Sequence, residues 1–93
     1  MERIDESRAR LLQVAYYVLG AYMEQEAKKF DQWQDETYGQ LYGHAKHEFA
    51  EIRRSKDLTR QLHNCADLVG LSLILLSKVM DRANLKELSP DEP

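Results

Sequence analysis

Leu62-His63-Asn64-Cys65-Ala66-Asp67-Leu68-Val69-Gly70-Leu71-Ser72-Leu73-Ile74-Leu75-Leu76-Ser77-Lys78-Val79-Met80 is the stretch on which the fold turns. It is too long for a strand, and its apolar positions recur at helical spacing, which predicts a helix from about Leu58 to about Ala83. No residue from Leu68 through Ser77 is charged, so this helix needs neighbours on nearly every side. A single domain of 93 residues is short, and a chain of that size buries only roughly 60% of its unfolded surface. The remaining cover is expected from other copies, in a homo-oligomer (dimer or tetramer). Asp67 breaks the apolar pattern. A carboxylate there is costly unless paired or metal-bound, so it either meets an Arg or Lys or helps to line a site.

Working back toward the N-terminus, Ser55 to Asp57 reads as a turn, with Ser55 or Asp57 as a helix cap. Before it, Tyr38, Tyr42, Ala45, Phe49 and Ile52 follow 4, 3, 4, 3 spacing, the core seam of a second helix from Tyr38 to Arg54. Thr37-Tyr38-Gly39-Gln40 matches a capping box at its start. Asp31 to Glu36 reads as a polar connector that contains Trp33. The first helix is expected from Asp5 to Lys29, with Leu11, Ala15, Val18 and Tyr22 on one stripe and Leu12, Tyr16, Leu19 and Met23 on the next. Gly20 is tolerated there at about 1 kcal/mol relative to Ala and permits close helix approach. At the other end, Asn84 is the expected stop, and residues 89–93 have no reason to order. No period-2 alternation predicts a strand. The expected fold is all-α: one domain over residues 1–88, an antiparallel bundle of three main helices whose core is completed by oligomerisation.

The charge balance excludes some functions. Thirteen basic and sixteen acidic residues give a net charge of -3, with no basic stripe of the kind a nucleic-acid binder needs. Leu11 to Met23 is short of the roughly 20 residues that span a bilayer, and Glu24 and Glu26 follow it in place of a cleavage site. A soluble cytoplasmic protein without a membrane segment is expected. The single cysteine, Cys65, cannot form an internal disulfide and is expected to be a buried small residue.

Candidate chemistry gathers near the turn between the second and third helices. Glu48 and Glu51 lie one turn apart, with His44 one turn earlier. His63, Asn64 and Asp67 share a face of the third helix, with Lys78 and Asp81 near the same line further on. A short turn makes the two helices antiparallel neighbours, so Glu48, Glu51, Asn64 and Asp67 are expected to face one another across the hairpin. Three carboxylates and an amide oxygen suit Mg²⁺ and are poor for zinc. No paired Glu-x-x-His, His-Glu-x-x-His, P-loop or cysteine pair is present.

Glu48-x-x-Glu51, twelve intervening residues and Asn64-x-x-Asp67, followed by the apolar run after Asp67 and preceded by Trp33, resemble the MazG-like all-α nucleoside triphosphate pyrophosphohydrolases. The resemblance covers about Phe30 to Met80. One position departs from the family pattern: Asn64 stands where the motif has an acid. The resemblance implies cleavage of a nucleoside triphosphate to its monophosphate and pyrophosphate, with Mg²⁺ (or Mn²⁺) as cofactor. It implies Glu48, Glu51 and Asp67 as catalytic residues, and the same three with Asn64 as metal ligands. Lys78 on a phosphate, Trp33 against a base, and His44 and His63 nearby would bind substrate. Phosphoribosyl-ATP pyrophosphatase activity is an alternative within the superfamily. A non-catalytic oligomerisation or nucleotide-sensing module is an alternative outside it, and Asn64 favours that one.

Overall fold

The computed structural model describes residues 2–83, and all the regular structure among them is helical. The all-α expectation holds. The expected stop at Asn84 and the tail lie outside the described residues.

The second and third expected helices form with boundaries close to those predicted. α4 spans Tyr38–Arg54 and α5 spans Leu58–Arg82. Thr37 caps α4 through the expected box: its hydroxyl accepts from the Gln40 amide at 3.2 Å, and its own amide donates to Gln40 Oε1 at 2.9 Å. Asp57 caps α5 by accepting from the Thr59 amide at 3.0 Å. Between them, Ser55 ends α4 in extended backbone, and the Gln61 side chain donates to its carbonyl at 2.6 Å. With so few residues in the turn, α5 folds back on α4, and this pair makes the most extensive helix–helix packing in the chain.

The first expected helix is a series of pieces instead. α1 spans Glu2–Tyr17, a π-helical segment follows at Val18–Tyr22, and α2 spans Met23–Gln25. Glu26 leaves helical geometry at φ -111°, ψ 31°, and α3 then runs over Ala27–Gln34. The expected polar connector is therefore largely helix, and Trp33 belongs to α3. The reason lies in the apolar pair Phe30 and Trp33, three residues apart on one face. Burying both, at 3% and 5% exposure, outweighs the polar character of the residues around them.

The core is Val18, Tyr22, Phe30, Trp33, Leu41, Ala66 and Leu71. Phe30 packs edge-on against both Tyr22 and Trp33, at ring separations of 6.0 and 5.1 Å. Its ring also lies directly against Gly70, where an added Cβ would run into the ring. The close approach in this fold is thus at Gly70. Gly20 has nothing nearby.

Two apolar faces read as core are uncovered. On α4 the residues turned inward are Leu41 and Glu48, while Tyr42 and Phe49 of the expected seam stand 62% and 57% exposed. Of the two stripes on the first helix only Val18 and Tyr22 are buried, Met23 is partly buried, and Leu11, Leu12, Tyr16 and Leu19 are exposed. Cys65 is exposed as well, beside Val14, Tyr17, Leu62 and Val69 in an apolar groove between the end of α1 and the first half of α5. By length and composition α5 is the one described helix that could cross a bilayer. However, it carries Asp67, which is paired within the chain, and the π-helical segment, α3 and α4 all pack on it.

Candidate functional site

Asp67 is 4% exposed and fully partnered. The Tyr22 hydroxyl donates to its Oδ1 at 2.5 Å, and Lys29 Nζ donates to both carboxylate oxygens at 3.1 Å. Three elements make this contact: α5 supplies the acid, the π-helical segment the phenol and α3 the ammonium. The restart of the helix after Glu26 sets the position of Lys29. Its ammonium lies 3.8 Å from Glu26 Oε2 and 5.8 Å from the Trp33 ring centre. Burial, and then the hydrogen bond to Asp67, push the Tyr22 phenol well above its ordinary range, so it remains a donor.

Glu48 is the second buried acid, and its situation is the opposite. It is 9% exposed, and its Oε2 is buried without a hydrogen-bond partner. Burial first, and then the charge of Asp67 across the hairpin, raise its carboxyl above the usual carboxylate range; His47 and Lys29 pull the other way. The Asn64 amide nitrogen is also buried without a partner. Buried polar atoms of this kind are uncommon in folded proteins and call for an explanation.

Glu51, also on α4, is partly buried and reaches Arg54 at 3.7 Å. His44 Nε2 lies 2.7 Å from Glu36 Oε2, and its ring lies 5.4 Å from that of Trp33. His63 contributes its carbonyl, which accepts from the Tyr22 hydroxyl at 3.1 Å, and its ring stands 5.6 Å from Tyr22.

Two substrate-contact expectations meet different surroundings. Trp33 is a core anchor, packed on Phe30, and offers no open ring face for a base. Lys78 lies eleven residues beyond Asp67 (67 to 78), roughly 16 Å along the helix at about 1.5 Å per residue. Its ammonium donates to the Gln34 carbonyl at 2.7 Å, so it does not join the acid cluster.

The donors at the cluster fit a hard cation in kind. They are carboxylate oxygens and one amide, and an amide can present either its oxygen or its nitrogen on rotation. In the arrangement described, Lys29 occupies both oxygens of Asp67. Among the described residues no three His, Cys, Asp or Glu side chains gather as a ligand set.

Tyr22 and Lys29 were not singled out as site residues in the sequence. Their signal was present: Tyr22, Glu26, Lys29 and Trp33 follow 4, 3, 4 spacing, a face on which a phenol and an ammonium accompany apolar rings. A buried tyrosine needs a partner for its hydroxyl, and Asp67 needed a donor.

Comparison with known proteins matches no family, no curated protein and no solved structure.

Proposed function

We propose that this protein is a divalent-cation-dependent nucleotide pyrophosphohydrolase that cleaves a nucleoside triphosphate to its monophosphate and pyrophosphate. The observation that carries the reading is Glu48 Oε2, a carboxylate oxygen buried without a partner in the same cluster as Asp67. A fold that only needed a core would place an apolar side chain at Glu48, because an unpaired buried acid is destabilising. An acid kept there is suited to receiving positive charge.

Glu48, Glu51 and Asp67, which do not gather as a ligand set in the cation-free chain, would have to draw together with the Asn64 amide oxygen to hold Mg²⁺ or Mn²⁺. The cation would supply neutralisation of phosphate charge and orientation of the attacking water. Glu51, the more accessible of the α4 acids, would accept the proton of the attacking water. Tyr22 keeps Asp67 in a fixed orientation. His44, paired with Glu36, and His63, beside Tyr22, would contact the substrate. A homo-oligomer in the cytoplasm completes the picture. The exposed Leu11, Leu12 and Tyr16 of α1, with Tyr42 and Phe49 of α4, are the faces a second copy would cover.

The test is pyrophosphate release from a panel of nucleoside triphosphates, with and without Mg²⁺, in the parent protein and in Glu48→Gln. Release that needs Mg²⁺ and disappears in the variant is the expected result. A well-folded protein that releases pyrophosphate from none of them favours a non-catalytic nucleotide-sensing or oligomerisation module, the reading that Asn64 supports.

A further inference from the structure

The apolar groove between the end of α1 and the first half of α5 has two continuous walls. Leu58, Leu62, Cys65 and Val69 form the α5 wall, and their 4, 3, 4 spacing makes one row along the helix. Val14 and Tyr17 form the α1 wall. No described residue fills the space between them: Leu58 is 78% exposed and Leu62 49%. Arg10 is the one charged residue that lines the groove, and its guanidinium donates to the Gln13 side chain at 3.4 Å. Gln13 and Gln61 are the other polar residues along it. An apolar centre with a few polar groups around it is the anatomy of a protein interface.

The size of the face points to a second copy. The exposed fractions of Val14, Tyr17, Leu58, Leu62 and Val69 add to between two and three whole side chains. At about 200 Å² for a large side chain, that is on the order of 500 Å² of apolar surface. Each side of a standard interface contributes about 800 Å², of which roughly 60% is apolar, again on the order of 500 Å². The groove is therefore large enough for one stable interface. It holds no carboxylate and one already partnered cation, so it has no charge pattern that selects an unlike partner. An identical apolar face meets it without a clash, and a two-fold pairing buries the same patch on both chains. Residues 84–93 offer only two large apolar side chains, Leu85 and Leu88, too few to cover it.

We propose that two copies of this chain pair about a two-fold axis, groove against groove, so that α1 and α5 of each form a shared four-helix core with Cys65 inside it. The proposal rests on the homo-oligomer part of the proposed function and gives that oligomer its interface. Rows of apolar side chains on facing helices interdigitate in this way in four-helix bundles. Tyr42 and Phe49 of α4 line no part of the groove, so the α4 face is a separate surface and serves as the control.

Cys65 is the only cysteine, is exposed in the single chain and lies near the middle of the α5 wall. The rate at which its thiol reacts depends on access and so reports cover over the groove itself. The experiment measures sedimentation and the initial rate of maleimide reaction across a series of protein concentrations. The proteins compared are the parent, Leu62→Glu, Leu58→Glu and Phe49→Glu. The parent is expected to pass from monomer to dimer, and its Cys65 to react about tenfold more slowly at the high end of the series, as mass action fills the dimer. Leu62→Glu, which puts a charge in the groove, should stay monomeric with a reactive Cys65 throughout. Leu58→Glu should do the same, and an acid in the first turn of α5 suits the helix dipole, so this variant keeps the test valid if Leu62→Glu fails to fold. Phe49→Glu should pair and protect Cys65 as the parent does.

A dimer whose Cys65 reacts equally fast at every concentration, or one that Phe49→Glu dissociates and Leu58→Glu does not, overturns the groove pairing and leaves the homo-oligomer standing on another face. A parent that stays monomeric at every concentration overturns both. Pyrophosphate release, measured separately, reads the catalytic part of the proposed function in either case.

Discussion

α5 buries Ala66, Asp67, Gly70 and Leu71, whereas α1 presents Leu11, Leu12, Val14 and Tyr16 to solvent and buries no described side chain. Both helices carry apolar residues at helical spacing. α5 has the π-helical segment, α3 and α4 packed on it. α1 continues into the π-helical segment and has little else beside it. An amphipathic pattern establishes that a helix has a face to cover; it does not say which element covers it. A helix the length of α1 is marginal in water without tertiary packing. Its helicity therefore depends on what meets Leu11, Leu12 and Tyr16.

The same substitution in the two helices is the strongest way to break this contrast. Leu71 is fully buried, and Leu71→Ala is expected to cost about 3 kcal/mol of unfolding free energy. Leu12→Ala is expected to change it by no more than about 0.5 kcal/mol in dilute solution. Urea unfolding over a range of protein concentrations checks both. A large cost at Leu12 that fades on dilution would identify a second copy as the cover of α1. A large cost at every dilution would mean that α1 packs on its own chain and would remove the contrast.

Tyr22→Phe sharpens the comparison at the point where the chain turns from the bare helix into the core. It removes the hydroxyl from a buried carboxylate and leaves the ring packing intact. The expected loss is about 2 kcal/mol, the upper part of the range for a hydrogen bond to a charged group, read by the same unfolding measurement. An unchanged stability would show that Lys29 alone suffices for Asp67.

Glu48→Gln is expected to act more weakly and in the opposite direction. The folded-state carboxyl lies above its ordinary value, so the folded protein holds this proton to higher pH than the unfolded chain does. Stability contributed by this group therefore falls as pH rises from about 4.5, the ordinary value, through the folded-state value. Removing the charge should flatten that fall and stabilise the protein by about 1 kcal/mol at neutral pH, the order of an unsatisfied buried polar group. Unfolding curves between pH 4 and 8 test this, with pH 4 to 8 being a range of roughly ordinary carboxyl and neutral conditions. A variant whose pH dependence matches the parent's would show that Glu48 is not the group responsible.

What the sequence made legible followed local rules. The box at Thr37 and Gln40, the turn at Ser55 to Asp57, and the extents of α4 and α5 depend on residues within a few positions of one another. Asp67 stood out because a charge inside an apolar run must be explained. Which group answers it is a long-range matter: Lys29 lies 38 residues away in the chain and Tyr22 lies 45. The orientation of α4 departs from its apolar seam at Tyr42 and Phe49 for a related reason, although Ala45 of that seam packs against the core. Tyr42 and Phe49 make a better apolar seam than Leu41 and Glu48 do, and periodicity ranks faces by hydrophobicity. It cannot show that the inward face carries an acid.

The π-helical turn at Val18–Tyr22 has a consequence for the molecule's plasticity. A π-turn closes its hydrogen bond one residue later than an α-turn, so it absorbs one residue beyond the regular count. Upstream of it, every side chain of α1 is displaced around the helix by roughly 100° from where an uninterrupted helix would put it. The segment therefore works as an indexing joint. Losing one residue within it would let the backbone run on as ordinary helix and would swing Leu11, Leu12 and Tyr16 to a new bearing, while Tyr22 stays beside Asp67. A single deletion there would re-aim the exposed arm without disturbing the acid cluster.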